Sequence, residues 1–350
     1  MVKERLYRIE VVPRCLTFKR PAGTSRGVYT TRKLWEVRIR KEDDSSAFGI
    51  GECAPLPDLS CDYGVDYEIT LSKACLDLEQ KGHVDTESLR HYPSILFGLE
   101  TAMRHYEQGG WRHYDTPFSQ GQAGIPINGL IWMGDYKYML EQVEEKMKEG
   151  FRCVKLKIGA IDFERELSLL KHIRAHFSAK EIELRVDANG AFLPSEAMDK
   201  LKRLAEMDSI EQPIRAGQLE EMARLAAESP LPIALDEELI GCNAPDEKRR
   251  LLETIHPQYI ILKPSLHGGI SGCTEWIHLA ETILGSTPEQ PKWWVTSALE
   301  SQIGLNAIAQ WCATLGNPLP QGLGTGEIFK DDKHTLIQRK GDTIWFTNDL

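Results

Sequence analysis

Apolar and polar residues alternate in Tyr7-Arg8-Ile9-Glu10-Val11-Val12 and again in Leu34-Trp35-Glu36-Val37-Arg38-Ile39, the two-residue period of half-buried strands. Gly49-Ile50-Gly51-Glu52 and Pro55-Leu56-Pro57 interrupt that pattern with a loop. Between Asp66 and Tyr106 the period turns helical, and a helix is predicted over Tyr92–His105. The first hundred residues therefore read as α+β. Turn formers gather from Asp115-Thr116-Pro117 to Gly121-Gln122-Ala123-Gly124 and mark a boundary. Beyond it, short apolar runs predict strands at Ile125–Asn128, Cys153–Lys157, Ile182–Asp187, Ser209–Glu211, Ile233–Asp236, Tyr259–Lys263, Trp294–Thr296 and Gln321–Leu323. Amphipathic stretches lie between them, among them Asp135–Lys148, Phe163–Phe177, Ser195–Met207, Gln218–Ala227, Ile270–Ile283 and Gln302–Ala313. This rhythm predicts an α/β fold, a TIM-type (β/α) barrel of (β/α)7β form, with a doubly wound open sheet as the alternative. The tail His334–Phe346 alternates around Lys340-Gly341-Asp342 and predicts a hairpin packed back on the N-terminal segment. The expected division is an α+β capping domain over 1–120, joined by 328–350, and a barrel domain over 121–327.

The residues that end the predicted strands change the picture. Successive strands close on Lys157, Asp187, Glu211, Asp236 and Lys263, at intervals of 30, 24, 25 and 27 residues, each one βα unit. In a barrel these residues share one end, the end that carries catalysis. Any one of them alone reads as a solvated strand-end charge. Three carboxylates converging between two lysines repel one another unless a cation sits among them. Hard oxygen donors without Cys or His nearby favour Mg²⁺. Lys155 and Lys157 flank Leu156 and so point to one strand face, the barrel interior, where an unpaired lysine is costly. A second lysine and a metal would depress a lysine's pKa and leave one neutral enough to act as a base. An edge strand with solvated lysines is the bland alternative. A base beside a divalent ion suits removal of a proton α to a carboxylate, with the enediolate held by the ion and a second cation. With Mg²⁺ in place the site is net positive, which fits an anionic substrate.

Composition narrows the classes. The chain has 350 residues, of which 41% are hydrophobic and 27% charged, as in ordinary globular proteins. Its formal net charge of −10 makes it a poor ligand for nucleic acid or anionic membranes. No apolar run approaches a membrane span, and MVKERLYRIEVV lacks the apolar stretch of a signal peptide. None of the eight cysteines forms a C-x-x-C pair, so zinc and redox motifs are missing and reduced thiols in a cytoplasmic protein are expected.

Lys155-Leu156-Lys157, Asp187-Ala188-Asn189-Gly190, Ile210-Glu211-Gln212-Pro213, Asp236-Glu237 and Lys263-Pro264 together resemble the signature series of the enolase superfamily, muconate-lactonizing subgroup. Within that subgroup the chain resembles the o-succinylbenzoate synthase family. The likeness rests on Gly49–Pro57, Pro93–Glu100, Ile127-Asn128-Gly129-Leu130, Leu262–Leu266 and Ser297-Ala298-Leu299-Glu300-Ser301. The resemblance implies syn elimination of water from a cyclohexadiene carboxylate in menaquinone biosynthesis. It implies Lys157 as the base, and then as the acid that serves the leaving hydroxyl, with Lys155 tuning it and Lys263 stabilising the enediolate from the other face. It implies Asp187, Glu211 and Asp236 as Mg²⁺ ligands, with Mn²⁺ able to substitute. N-acylamino acid racemases share this constellation. Dipeptide epimerases typically carry Asp-x-Asp near strand eight, where this chain has Gly322-Leu323-Gly324-Thr325-Gly326-Glu327. The alternative from another class is a non-catalytic Mg²⁺-binding barrel module, against which the three lysines argue. Oligomeric state is not legible.

Weaker signals keep two readings each. Ser297 and Ser301 are candidate substrate contacts or helix caps. Gly322, in its glycine-rich loop, and Asn189 are further candidates for substrate contact. Phe18–Tyr29, with Arg20 and Arg26, is a lid over an anionic substrate or a surface loop. Trp293 and Trp294 read as core, His172 and His176 as a solvated helix face, and His267 as a minor candidate for substrate contact.

Overall fold

A computed structural model of the chain describes residues 5–24, 27–41, 47–132, 136–159 and 162–347. The alternating N-terminal stretches pair as one long antiparallel ribbon, β1 (Tyr7–Thr24) and β2 (Gly27–Lys41), with an irregularity between Thr17 and Ala22. β3 (Phe48–Cys53) extends the sheet beside β2. Helices α1 (Tyr67–Lys81) and α2 (Pro93–Gln108) pack on it, and Trp35, Val37, Ile39, Leu71, Leu78, Ile95 and Leu99 form the shared core. The approach of α2 to β3 requires glycine: a Cβ at Gly51 would lie 1.9 Å from the Gly98 carbonyl oxygen.

The chain then runs through β4 (Ile125–Pro126), β5 (Gly129–Ile131), α3 (Tyr136–Lys148), β6 (Cys153–Lys157), α4 (Phe163–His176), β7 (Glu183–Asp187) and α5 (Pro194–Arg203). It continues through β8 (Ser209–Glu211), α6 (Leu219–Glu228), β9 (Ile233–Leu235), a single 3₁₀ turn over Glu237–Leu239, α7 (Pro245–Ile255) and β10 (Tyr259–Leu262). α8 (Gly269–Ile283), β11 (Trp293–Val295), α9 (Gln302–Thr314), β12 (Ile337–Lys340) and β13 (Thr343–Phe346) complete it. Strands β5 to β11 make a seven-stranded sheet in sequential order, parallel throughout, which curls with helices outside it. The predicted eighth strand is reduced to a bridge that meets both edges. Gln321 N–H donates to Pro126 O at 2.8 Å and Asn128 N–H to Gln321 O at 3.0 Å, while Gly322 N–H donates to Val295 O at 2.8 Å.

The parallel strands alternate as the pleat demands. Val154, Leu156, Leu184, Val186, Ile210, Ile233, Leu235, Ile260, Leu262, Trp293 and Val295 join the large core under the helices. Ala234, Ile261 and Trp294 form a separate small cluster, and the Arg185 guanidinium stacks 4.1 Å from the Trp294 ring centre. Both tryptophans are thus core, as expected.

Two further predicted elements differ. Ile125–Asn128 is not one strand. β4 pairs antiparallel with β13, and the parallel sheet starts at Gly129. Pro126 has no N–H to donate to a ladder, and a Cβ at Gly129 would meet Lys146 and Phe151 at about 3 Å. The tail hairpin exists as β12–β13, but β4 is its sheet partner, while Lys19 N–H reaches Ile328 O at 2.8 Å from β1. The predicted helix start, Asp135, lies outside the described residues.

Candidate active site

Parallel register sets the site. Lys157 lies opposite Asp187, and Asp187 opposite Glu211, along the carboxyl ends of β6, β7 and β8. Asp236 and Lys263 follow the last residues of β9 and β10. All five, with Lys155, line one cavity of about 340 Å³. The three carboxylates are 1–2% exposed.

The lysines differ in their partners. Lys155 Nζ donates to Asp187 Oδ2 at 3.0 Å and to Glu211 Oε2 at 2.8 Å. Lys263 Nζ donates to Asp236 Oδ2. Lys157 Nζ meets an amide oxygen instead, Asn189 Oδ1 at 3.1 Å, and forms no ion pair among the described residues. Burial disfavours the charge on Lys155 and on Lys263, but the carboxylates outweigh it and both pKa values rise. At both lysines ion pairing dominates desolvation. Asp236, against the cost of its burial, is held down to about 2 chiefly by Lys263. Glu211 moves well above the ordinary carboxylate range because it is buried beside Asp187.

Glu237, on the turn after β9, also lines the cavity, and Asn189 Nδ2 donates to its Oε1 at 3.1 Å. Burial and the neighbouring Asp236 raise its carboxyl to about 7. Asn189 therefore sits between Lys157 and Glu237, with its backbone in the left-handed region at φ 45° and its N–H on Asp187 Oδ1 at 3.0 Å.

Among the described residues no three acidic, His or Cys side chains close into a group spaced to hold a metal ion. Lys155 stands between Asp187 and Glu211, and Lys263 on Asp236. The donors nevertheless fit Mg²⁺ in kind: they are hard carboxylate oxygens, and Glu211 Oε1 and Asp236 Oδ1 are buried without a hydrogen-bond partner.

The weaker candidates separate. Ser297 and Gly322 line the cavity, where Ser297 Oγ is 2.7 Å from Thr325 Oγ1. Ser301 does not. It is the N-cap of α9, accepting from Ile303 N–H, and its hydroxyl is bound to Glu52. Residues 18–24 and 27–29 are strand rather than loop, and Arg20 and Gly23 reach the cavity from the ribbon; Ser25 and Arg26 lie outside the described residues. His267 is fully buried with Nδ1 accepting from Lys263 N–H at 3.0 Å, so it supports the strand end and does not face the cavity. His172 and His176 stack on each other, with His176 Nδ1 on the His172 carbonyl. Sequence reading missed a buried group of Arg32, Glu52 and Glu300, whose partners are too remote in the chain to show as a motif.

Residues 138–337 match the family model described as "Enolase C-terminal domain-like". The chain is 44% identical over 352 residues to the o-succinylbenzoate synthase of Desulfotalea psychrophila, covering 91% of this chain and 93% of that one. The crystal structure of MenC from that organism superposes with a TM-score of 0.81 at 38% identity, over 97% of this chain and 99% of that one. The L-Ala-D/L-Glu epimerase of Bacillus subtilis is 25% identical, over 89% of this chain and 86% of its own length. The fold is also that of the o-succinylbenzoate synthase of Thermosynechococcus elongatus, solved with Mg in the active site, with a TM-score of 0.71 at 24% identity over 91% and 92% of the two chains. The chain belongs to the enolase superfamily and, within it, to the o-succinylbenzoate synthase family.

Proposed function

We propose that this chain is a hydro-lyase that removes water from 2-succinyl-6-hydroxy-2,4-cyclohexadiene-1-carboxylate to give o-succinylbenzoate, a step of menaquinone biosynthesis. The observation that carries the reading is the likeness to the Desulfotalea synthase, which runs along nearly the whole chain, where the epimerase likeness is much weaker. The division into a cap of 1–120 with 328–350 and a barrel of 121–327 is part of the same proposal.

The site residues supply the steps. Lys157, the lysine outside an ion pair, takes the proton α to the ring carboxylate. It then returns that proton to the hydroxyl leaving from the same face, so that water departs and the ring becomes aromatic. Asn189 holds the Lys157 amine in place, and Glu237 holds the Asn189 amide so that its oxygen faces the lysine. Lys155, kept charged by its two carboxylates, places a fixed positive charge on the same strand face. Lys263 presents its ammonium from β10 to the charge that develops on the substrate. Asp187, Glu211 and Asp236 would hold Mg²⁺, or Mn²⁺ in its place, and the ion would supply divalent positive charge as a Lewis acid. Ser297 and Gly322 form part of the wall that receives the anionic small molecule. The described cysteines are all free, in keeping with a cytoplasmic setting, and no described helix is long and apolar enough to cross a membrane.

The test is a direct assay with the cyclohexadiene carboxylate, with Mg²⁺, with Mn²⁺ and with EDTA. Fast, chelator-sensitive conversion to the aromatic diacid is expected. No conversion by folded protein, with deuterium exchange at the α-carbon of N-acyl amino acids or dipeptides instead, would replace the reading with a racemase or epimerase.

A further inference from the structure

Arg32 is 1% exposed, in the middle of β2, and its guanidinium is spent entirely on main-chain carbonyls. Nη1 donates to Pro55 O at 2.5 Å and Nη2 to Ala54 O, both on the loop after β3. Nη2 also donates to Ala298 O at 3.3 Å, and Nε to Leu299 O at 3.2 Å, on the loop after β11. Leu299 has a φ of 62°, a conformation that costs a branched residue energy and persists where the surroundings over-determine it. The same two loops line the cavity: Leu56 and Leu59 from one side, Ser297, Ala298 and Leu299 from the other.

The group extends past the arginine. Glu300, also buried, accepts from Ala298 N–H at 2.6 Å and from the Ser265 hydroxyl, so the loop carrying Lys263 is tied in. Glu52 accepts from Ser301 N–H at 3.0 Å and Gly304 N–H at 3.2 Å, fixing the start of α9. These two carboxylates supply the opposing charge for Arg32. Leu56, Leu266 and Ala298 then pack as one small apolar cluster.

We propose that Arg32 is a positioning residue for the dehydration: it pins the 54–57 loop to the 297–299 loop and so sets the distance between two walls of the cavity. The proposal rests on the reading of that cavity as the site of reaction. A planar fork with five N–H donors can serve four carbonyls on two loops; a lysine ammonium, a compact point with three donors, cannot. Misplacing a wall by about an ångström costs on the order of 10²-fold in rate.

The experiment compares Arg32→Lys and Arg32→Ala with the wild type as full chains. In Arg32→Lys, kcat/KM on the cyclohexadiene carboxylate should fall about 10²-fold. The Mg²⁺ concentration for half-maximal rate should stay unchanged, because neither pinned loop carries Asp187, Glu211 or Asp236. Free guanidinium, far below unfolding concentrations, should restore part of the activity of Arg32→Ala and none to the wild type. Wild-type kcat/KM in folded Arg32→Lys would overturn the proposal, as would a loss matched by an equal weakening of the Mg²⁺ response. Amide hydrogen exchange on protein without substrate reads the pinning itself: 54–57 and 297–299 should lose protection together in Arg32→Lys. Unchanged protection overturns the proposal. A wild type that turns over no substrate would defeat the functional reading, and loss of protection at both loops would still support the pinning.

Discussion

Lys155, Lys157 and Lys263 share the cavity, and their partners divide the labour. Lys155 and Lys263 are committed to carboxylates, while the Lys157 amine meets the Asn189 side-chain oxygen at 3.1 Å and forms no ion pair among the described residues. A general base must be able to give up its proton, and an ammonium clamped by two buried carboxylates cannot. Replacing Lys157 with Ala should therefore lower turnover by about 10²–10⁴-fold, the range for a lost acid–base group, with the unfolding temperature close to wild type. Exchange of the substrate's α-proton should disappear with it. Turnover retained in a folded variant would place the base elsewhere. Lys155→Met is a different experiment, since it takes the cation away from the buried Asp187 and Glu211 side chains, leaving the Asp187 charge without its partner. Breaking a buried pair from one side typically costs about 3–5 kcal/mol, so this variant should lose stability in chelator, as denaturant titration would show. An equal stability of Lys155→Met and wild type in EDTA would mean that the two carboxylates have found other partners.

Helix ends carry the next layer of organisation. α8 begins at Gly268-Gly269, both with positive φ, and has no side-chain cap of its own. Its first turn is satisfied from another element: Glu100 on α2 accepts from Ile270 N–H at 2.7 Å and Ser271 N–H at 3.1 Å. The negative group at the helix start is favourable, but burial raises the Glu100 carboxyl to about 7. Glu100→Ala should cost roughly 1–2 kcal/mol, the scale of a lost cap, and an undiminished unfolding free energy would show that water replaces it. The βα rhythm and the five strand-end charges were legible because each follows from local period and spacing. The carboxyl ends of β6 to β10 turn charged side chains inward where an ordinary core would be apolar, and that shows in sequence as Lys-Leu-Lys or as Asp after a run of aliphatics. Residues 18–24 and 27–29 were not legible as strand: turn formers such as Pro21, Gly23 and Gly27 dominate the local pattern, while Ala22 to Thr24 pair with Gly27 to Tyr29 and Phe18 bridges to the distant Phe329. Arg32 was invisible for another reason: it is one polar position among many in an alternating strand, and its partner Leu299 is 267 residues away. The Glu100 cap joins residues 170 apart and was equally out of reach.

Across the whole molecule, the N-terminal sheet and its helices meet the parallel sheet and the tail through buried polar groups as well as apolar packing. One such group surrounds Trp111: the His105 ring lies 4.4 Å from it, His334 5.1 Å from it, and His113 5.6 Å from His105. His105 is on α2, and His334 precedes the tail hairpin. Burial, with His334 close by, brings His105 down to about 4; burial, with His105 and Arg104 close by, brings His113 down to about 3. Both therefore fold as neutral rings. The unfolded chain takes up these protons near pH 6.5, so the stability they contribute is complete above that pH and drains away as pH falls towards 3. Holding one buried ring neutral down to about pH 4 corresponds to about 3 kcal/mol. Glu52 and Glu100, both raised to about 7 by burial, act with the opposite sign, since their stability is present below pH 4.5 and lost as pH rises through 7. The wild-type curve thus sums opposing slopes, and only a variant isolates one of them. His113→Phe removes a titrating ring while keeping an aromatic of similar shape. Its unfolding free energy, measured by denaturant titration from pH 7 to pH 4, should pull progressively ahead of wild type as pH falls, by a few kcal/mol at the acid end. Parallel curves for the two proteins would mean that His113 is protonated in the folded chain and that its burial beside His105 is relieved before the molecule unfolds.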